Sequence, residues 1–293
     1  MEGVKIDSGK VKRLPDWVKK PIGPLSRLHA MKKVLRSRGL NTVCESARCP
    51  NISECFAKPT ATFMILGDTC TRECGFCGVH SGKPAPVDAQ EPENIALTTA
   101  ELGLKHVVIT SVTRDDLPDF GAGQFALTIR AIRDTISDIL IELLVPDFNG
   151  DSSALETVLE AGPNILNHNL ETVPELYGRV RAGADYNRSL KVIQNATEAG
   201  ALTKSGIMLG FGETPAQVRS LLRDLSGVGC RIVTIGQYLR PTKESLEVVE
   251  YIEPEVFSEY EGFAREAGID FVYSGPLVRS SYNAEEIWKT FTE

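Results

Sequence analysis

Six short apolar runs, separated by helix-length segments, dominate residues 62–238. They read "TFMIL" (62–66), "HVVITS" (106–111), "ILIELLV" (139–145), "NILNHNL" (164–170), "SGIMLGF" (205–211) and "RIVTIGQY" (231–238). None alternates cleanly between apolar and polar, as expected of parallel strands buried on both faces. Helical stripes lie between and after them. One is Phe125, Ile129, Ile132 and Ile136; another is Val218, Leu221, Leu222 and Leu225; a third is Val256, Tyr260, Phe263 and Ala267. Thr214 and Pro215 read as an N-cap and first turn, and Gly227 and Gly229 follow that helix's end. Repeated β-α units require right-handed crossovers and a curled parallel sheet. Six units are too few for the closed eight-stranded barrel. The expectation is an α/β fold, a partial (β/α)6 barrel over 58–240 open at one side, with extensions at 1–57 and 241–293. "FVYSGP" (271–276) reads as a late extra strand.

The 293 residues suffice for such a barrel. A net charge of −7 argues against non-specific nucleic-acid binding, which needs a basic surface. No apolar run reaches membrane-spanning length, so no membrane partner is expected. The stretch 1–20 lacks an apolar signal core and reads as a polar arm on the domain surface. Six of the seven cysteines fall between positions 44 and 77. Disulfide frameworks are usually small, secreted and evenly stapled. Clustered cysteines in a large chain without a signal core point to a reducing cytoplasm and a metal or cluster site.

Polar runs follow four of the strands: "TSVTRDD" (110–116), "NHNLET" (167–172), "GFGET" (210–214) and "QYLRPT" (237–242). Each alone is consistent with turns and caps. Together they would share the C-terminal rim, where parallel barrels carry their chemistry. "DTCTRECGFCGV" (68–79) follows the first strand and sits on that rim too. Its ligand pattern is C-x3-C-x2-C, at Cys70, Cys74 and Cys77, one donor short of a closed zinc or iron–sulfur site.

That spacing, with Phe76 just before the last cysteine and a strand just before the loop, resembles the radical SAM superfamily. The resemblance implies that Cys70, Cys74 and Cys77 hold three irons of a [4Fe–4S] cluster. The fourth iron then takes the amine and carboxylate of S-adenosylmethionine, whose reductive cleavage gives a carbon radical. Zinc sites usually pair cysteines at short spacing and add histidines. Only four histidines are present, and His80, the nearest, reads as a loop residue.

Upstream, "CESARCPNISEC" spaces Cys44, Cys49 and Cys55 as C-x4-C-x5-C. Taken with the first set, it resembles the lipoyl synthase family, which carries a second, auxiliary and sacrificial [4Fe–4S] cluster on this pattern. The resemblance extends through "RLPDWVK" (13–19), "VTRDDLPDFGA" (112–122), "NHNLETVPELY" (167–177), "KSGIMLGFGET" (204–214), "GQYLRPT" (236–242) and "GPLVRSSYNA" (275–284). One departure is Ala182, where proline is expected.

The resemblance implies the TIM-like barrel of the radical SAM type and insertion of two sulfur atoms at C6 and C8 of a protein-bound octanoyl-lysine chain. It implies octanoylated lipoyl-domain partners, namely 2-oxoacid dehydrogenase E2 subunits and the glycine cleavage H protein. It also implies an electron donor such as ferredoxin or flavodoxin, and iron–sulfur repair proteins. Ser281 of the "RSSY" segment (279–282) is the expected fourth ligand of the auxiliary cluster, with Ser280 in reserve. A monomer is expected, since no exposed heptad is visible.

Around the cosubstrate the candidates are Phe76 beside the adenine, Asn169 and Glu171 for ribose or amine, and Arg181 for the carboxylate. Gly206, Gly210 and Gly212 could admit backbone near the base, Gln237 and Tyr238 could meet its edge, and Thr113, Arg114 and Asp115 could line a nearby loop, unless Asp115 only orients Arg114. Ordinary packing, turns and surface salt bridges compete for each. Cys230 reads as a small core residue. Three other readings compete. Biotin synthase builds its second cluster inside the barrel, tRNA methylthiotransferases are longer and bind nucleic acid, and an electron carrier needs no barrel with a polar rim.

Overall fold

The computed structural model describes residues 13–20, 25–56 and 62–281. Residues 1–12 of the expected arm and 282–284 of the expected C-terminal signature lie outside them. The strands are β1 Asn41–Thr42, β2 Thr62–Ile65, β3 Thr69–Cys70, β4 His80–Ser81, β5 His106–Ser111, β6 Leu140–Leu144, β7 Ile165–Asn167, β8 Leu202–Leu209, β9 Ile232–Gln237 and β10 Phe271–Gly275. The helices are α1 Leu25–Ser37, α2 Val43–Ser46, α3 Ile52–Cys55, α4 Glu91–Glu101, α5 Ala122–Thr135, α6 Ser152–Glu160, α7 Tyr177–Val180, α8 Tyr186–Glu198, α9 Pro215–Gly227 and α10 Pro254–Glu266.

One sheet runs in the order β1-β2-β5-β6-β7-β8-β9-β10. β2 and the six strands after it in that order are mutually parallel, while β1 adds antiparallel to β2. The six expected strands are all present, and β10 is the extra one. The flanking segments are not separate layers, because β1 and β10 each extend the same sheet. Side chains of β6 (Leu140), β7 (Ile165), β9 (Ile232) and β10 (Phe271, Tyr273) meet in one cluster. Strands so far apart in the order can meet only if the sheet curls, as in a partial barrel.

Strand alternation sorts the side chains. Val107, Ile109, Ile141, Leu143 and Leu166 face outward into the core under α4, α5 and α6. Val233, Ile235 and Leu209 do the same under α9 and α10. Thr214 caps α9 by accepting the Gln217 N–H, and Gln217 returns the bond, completing a capping box behind Pro215. In α10 the buried face is Phe257, Tyr260 and Ala264, one position from the stripe expected in the sequence. Val256 and Phe263 flank it, partly buried. Among the described residues no helix is long and apolar enough to cross a membrane.

The inward positions form layers. At the lower end lie the apolar side chains of that inner cluster. Above them sits a buried polar layer. Lys204 Nζ donates to Glu142 Oε1 at 2.8 Å, and both side chains are fully buried. Asn167 Nδ2 reaches the same oxygen at 3.2 Å. His106 Nε2 lies 3.6 Å from Glu142 Oε2. Lys204→Met would strand the Glu142 carboxylate inside the barrel and should lower unfolding free energy by about 3–5 kcal/mol. Coupled with Glu142→Leu, the loss should be much smaller. Urea unfolding of the single and double variants checks this, and equal losses in the two would refute it.

Candidate active site

The first cysteine loop leaves β2 through Leu66 and Gly67, at φ of +69° and +95°. The Leu66 N–H donates to Glu91 Oε2 at 2.9 Å, which fixes the turn. β3 and β4 then pair, with Cys70 opposite Ser81. The Cys70 sulfur accepts backbone N–H groups from Arg72 at 3.4 Å and Thr113 at 3.3 Å. Cys77 accepts from the Val79 N–H at 3.4 Å. Gly75 has room for no side chain, since a Cβ would meet the Arg179 carbonyl at 2.9 Å. Its N–H donates to the Val180 carbonyl at 2.9 Å, and its carbonyl accepts from the Leu246 N–H at 2.8 Å.

The second loop is built from two single-turn helices. Thr42 caps α2 by accepting the Glu45 N–H, which places Cys44 in the first turn. The Cys49 N–H donates to the Cys44 carbonyl at 3.1 Å, and the Asn51 carbonyl accepts the Cys55 N–H at 2.9 Å. Asn51 is buried and ties this loop to the far end of the chain. Its Nδ2 donates to the Leu277 carbonyl at 2.8 Å, and its Oδ1 accepts from Lys20 at 2.9 Å. The two cysteine loops touch at Gly78, where a Cβ would lie 2.5 Å from the Ser46 carbonyl.

A cavity of about 250 Å³ opens between the loops. Cys44, Cys49, Cys55 and Cys77 line it, with Phe76, Asn169, Glu171, Tyr238, Ser280 and Ser281. Much of the remaining wall is aliphatic, from Leu144, Ile207, Met208 and Val278. Gly206 and Gly236 leave its floor and side bare. All seven cysteines are free thiols. Burial pushes the thiols of Cys44 and Cys77 up to about 12 and that of Cys74 to about 11. Loading such sites with metal therefore displaces protons. Among the described residues no three His, Cys, Asp or Glu side chains converge closely enough for one metal ion. Each trio supplies soft donors on a short loop, a set that suits the separate irons of a cluster. Cys230 is a buried core residue, its sulfur 3.4 Å from the Ile232 carbonyl.

The expected cosubstrate contacts divide. Phe76, Asn169, Glu171 and Tyr238 face the cavity. Burial raises the Glu171 carboxyl against the pull of Arg181, and Asn169 Nδ2 donates to Glu171 at 3.0 Å. The Tyr238 hydroxyl donates to the Leu246 carbonyl at 2.7 Å, which leaves its ring to face the cavity. Arg181 stands outside the lining. Its Nη1 serves the Asn169 carbonyl, the Tyr177 hydroxyl and Ser189, while its charge acts on Cys74.

Gln237 does not meet a base edge. It shares strand parity with Val233 and Ile235, so it points outward, and its amide is committed to Leu209, Tyr238, Glu250 and Ile252 backbone. Gly210 admits that amide instead of a nucleotide, since a Cβ there would lie 2.4 Å from Gln237 Nε2. Thr113 acts through its backbone, on Cys70 and Thr71. Asp115 does not orient Arg114: Arg114 pairs with Asp116, and Asp115 holds Arg72 in two bonds of 2.7 and 2.8 Å.

Arg72 anchors the first cysteine loop, and no local pattern in the sequence marks it as a site residue. Beyond Asp115, its Nη2 meets buried Asp147 Oδ1 at 2.8 Å. Asp147 Oδ2 takes Arg188 at 2.8 Å. Asp147 and Asn149 follow a strand as the other rim residues do, but apolar neighbours at 145, 146 and 148 hide them from a search for polar runs. Burial opposes ionisation of Asp147, but Arg72 overrides it and holds the carboxyl at about 2, below its ordinary 3.8. Its folded value is depressed, so its stabilisation is full above pH ~4 and lost as pH falls toward 2, worth about 2 kcal/mol. Asp147→Asn should lose that amount at pH 7 and flatten the acid limb between these values. Thermal melts across pH check it, and an unchanged acid limb would refute it.

Comparison with known proteins agrees with this geometry. Residues 64–225 match the family model of the radical SAM superfamily, and residues 1–49 match that of the N-terminal domain of lipoyl synthase of the radical SAM family. The lipoyl synthase of Oleidesulfovibrio alaskensis is 51% identical over 93% of this chain and 94% of its own. That of Caldanaerobacter subterraneus subsp. tengcongensis is 52% identical over 93% and 96%. Among solved structures, Streptococcus suis SuiB bound to S-adenosylmethionine superposes with a TM-score of 0.57 at 15% identity, over 86% of this chain and 61% of that one. Methylornithine synthase gives 0.54 at 17% identity, over 72% and 69%. These two share the barrel fold alone. With both family models matched and half of its residues in common with such relatives across nearly its full length, the chain belongs to the lipoyl synthase family of the radical SAM superfamily.

Proposed function

We propose that this chain inserts sulfur at C6 and C8 of an octanoyl chain borne on a lysine of a lipoyl-domain protein. The observation that carries the reading is one mostly apolar cavity onto which both cysteine loops open. Cys70, Cys74 and Cys77 would hold the radical SAM [4Fe–4S] cluster, and Cys44, Cys49, Cys55 and Ser281 the auxiliary one. When bound, these groups and S-adenosylmethionine supply the electron, the hydrogen-abstracting radical and the sulfide.

The protein's own work is positioning and exclusion. Leu144, Met208 and Val278 suit a saturated chain and keep water from it. Asn169 and Glu171 offer polar atoms to the cosubstrate, and Phe76 and Tyr238 offer ring faces. Arg181 fixes Asn169 through its carbonyl, so its role is support of that wall. Ser280 and Ser281 differ in a way that favours Ser281 as ligand. The Ser280 hydroxyl is engaged by Asn167 and Asn169, whereas Ser281 lines the cavity with no hydrogen bond among the described residues. Octanoylated E2 subunits and the H protein are the proposed carriers, ferredoxin or flavodoxin the electron donor, and iron–sulfur repair proteins restore the spent cluster. The reduced cysteines fit the cytoplasm.

Two cysteine-trio variants separate the roles. The wild type should hold roughly eight irons when reconstituted. Replacing Cys70, Cys74 and Cys77 by Ala should halve that and abolish 5′-deoxyadenosine formation. Replacing Cys44, Cys49 and Cys55 should also halve the iron, yet spare deoxyadenosine while mass spectrometry of an octanoyl-lysine peptide finds no added sulfur. Lipoyl product from the second variant would overturn the reading.

Ser281 gives a further prediction. An oxygen ligand is hard among soft thiolates and should release iron more easily than sulfur does. Ser281→Ala should still assemble the cluster but lose turnover, and Ser281→Cys should retain iron and stall sulfur transfer. Mössbauer spectra and product assays check both, and wild-type behaviour in the two would remove Ser281 from the ligand set.

A further inference from the structure

The buried polar layer continues upward into the cavity wall. Lys204 Nζ donates to Glu142 Oε1 at 2.8 Å. Asn167 Nδ2 donates to that oxygen at 3.2 Å and to the Ser280 hydroxyl at 2.6 Å. Ser280 then donates to Asn169 Oδ1 at 3.0 Å, and Asn169 Nδ2 donates to Glu171 Oε1 at 3.0 Å. Six side chains thus connect the barrel interior to the rim, and Ser280 is the one supplied by the C-terminal segment.

The direction of each bond follows from the charged end. A carboxylate only accepts, so the Asn167 amide must turn its NH2 toward Glu142. The other hydrogen of that NH2 then falls to Ser280, whose oxygen accepts it. The Ser280 proton is thereby directed to Asn169 Oδ1. Asn169 is left with its NH2 facing Glu171, which again accepts. Reversal at any link would set two donors or two acceptors against each other. Ser280 is spent in both senses, as acceptor and donor, and sits between two asparagines of one strand end.

The backbone around it is fixed as well. The Pro276 carbonyl accepts the Gln237 N–H at 3.3 Å, and the Leu277 carbonyl accepts Asn51 at 2.8 Å. Gly236 has no Cβ, and the Val278 carbonyl would lie 2.3 Å from one. Ser280 and Ser281 end that segment in a turn. With the Ser280 hydroxyl fastened to Asn167 and Asn169, Ser281 is the serine left to face the cavity that Cys44, Cys49 and Cys55 line.

We propose that the Lys204–Glu142–Asn167 column holds Ser280 as a positioning residue, and that this seats Ser281 against the second cysteine trio. The inference rests on the proposed ligand role of Ser281 and extends it to residues that touch no cluster.

The test uses the full chain with Ser280→Ala, Ser280→Thr, Asn167→Ala and Ser281→Ala. In the cluster-free protein, amide hydrogen exchange over 276–281 should quicken by about tenfold or more in Ser280→Ala and Asn167→Ala, the loss expected of a buried hydrogen bond. Ser280→Thr keeps the hydroxyl and should restore slow exchange. In the reconstituted protein, Mössbauer spectra of the auxiliary cluster in Ser280→Ala should broaden into several iron environments, while Ser280→Thr retains the wild-type spectrum. Ser280→Ala alone suffices should Asn167→Ala not fold. Wild-type exchange and spectra in Ser280→Ala would overturn the proposal. Quickened exchange with an unchanged spectrum would overturn the seating of Ser281. A Ser281→Ala spectrum identical to wild type would instead remove the ligand role, a failure of the underlying reading that exchange does not register.

Discussion

Lys204 and Glu142 meet inside the barrel with no access to water. Taking two charges out of water is costly unless geometry and further hydrogen bonds compensate. Here Asn167 supplies an additional bond to the carboxylate, from a neighbouring strand. That register is imposed by the sheet, since Asn167 and Lys204 are direct partners across β7 and β8. The pair divides the interior. Below it, aliphatic and aromatic side chains fill the barrel. Above it, glycines at 206 and 236 and the short reach of Leu144 leave a cavity. A larger residue at Gly206 would meet Asn169 Oδ1 at 2.8 Å and Thr234 at 2.9 Å, so the open space depends on the polar wall as much as the wall depends on the ion pair.

The first cysteine loop hangs from a second buried charge, at the rim. Arg72 lies between Cys70 and Cys74 in sequence and spends its guanidinium on Asp115 and Asp147, from the ends of two successive strands. A planar fork suits two carboxylates approached from different directions. Rigidity of this kind is what a site needs when its ligands must hold a geometry they did not choose. The backbone N–H groups of Thr113 and Val79 complete the support by pointing at sulfur. Thr113 therefore matters to the site through its position on the rim, and its side chain is incidental.

Much of the barrel was legible because its signals are local. Buried parallel strands, the Thr214 capping box and the cysteine spacings can each be read within a dozen residues. The errors have a common physical origin. Gln237 ends a buried strand and is polar, so it resembles a rim residue, but strand parity sends it to the outer face. Asp115 and Asp116 are adjacent and chemically equal, and only the fold decides which meets Arg72 and which Arg114. The α10 stripe slipped by one position because Val256 and Phe257 are both apolar, and the helix faces the core with the second. Glu142 reads as part of an apolar run, Asn167 as the start of a rim run and Lys204 as the residue just before a strand. Their meeting needs three strands to align across 62 residues of chain, which no local pattern reports.

The two trios differ most in what each needs before it exists. Cys70, Cys74 and Cys77 sit on a loop between neighbouring elements, braced by rim residues of the same barrel. Cys44, Cys49 and Cys55 face a wall made partly by residues 278–281, and Asn51 reaches Leu277 across 226 positions. Closing so long a loop costs conformational entropy before any contact rewards it. Gly78 lets the second loop lie directly on the first, with the Ser46 carbonyl against its bare Cα. The first cysteine loop can therefore form with the barrel, whereas the second site is complete only once the C-terminal segment has docked. A ligand delivered by the last-docking segment can also leave without unfolding the rest. For the auxiliary cluster proposed above, that would be the mechanically suitable place for an oxygen ligand such as Ser281.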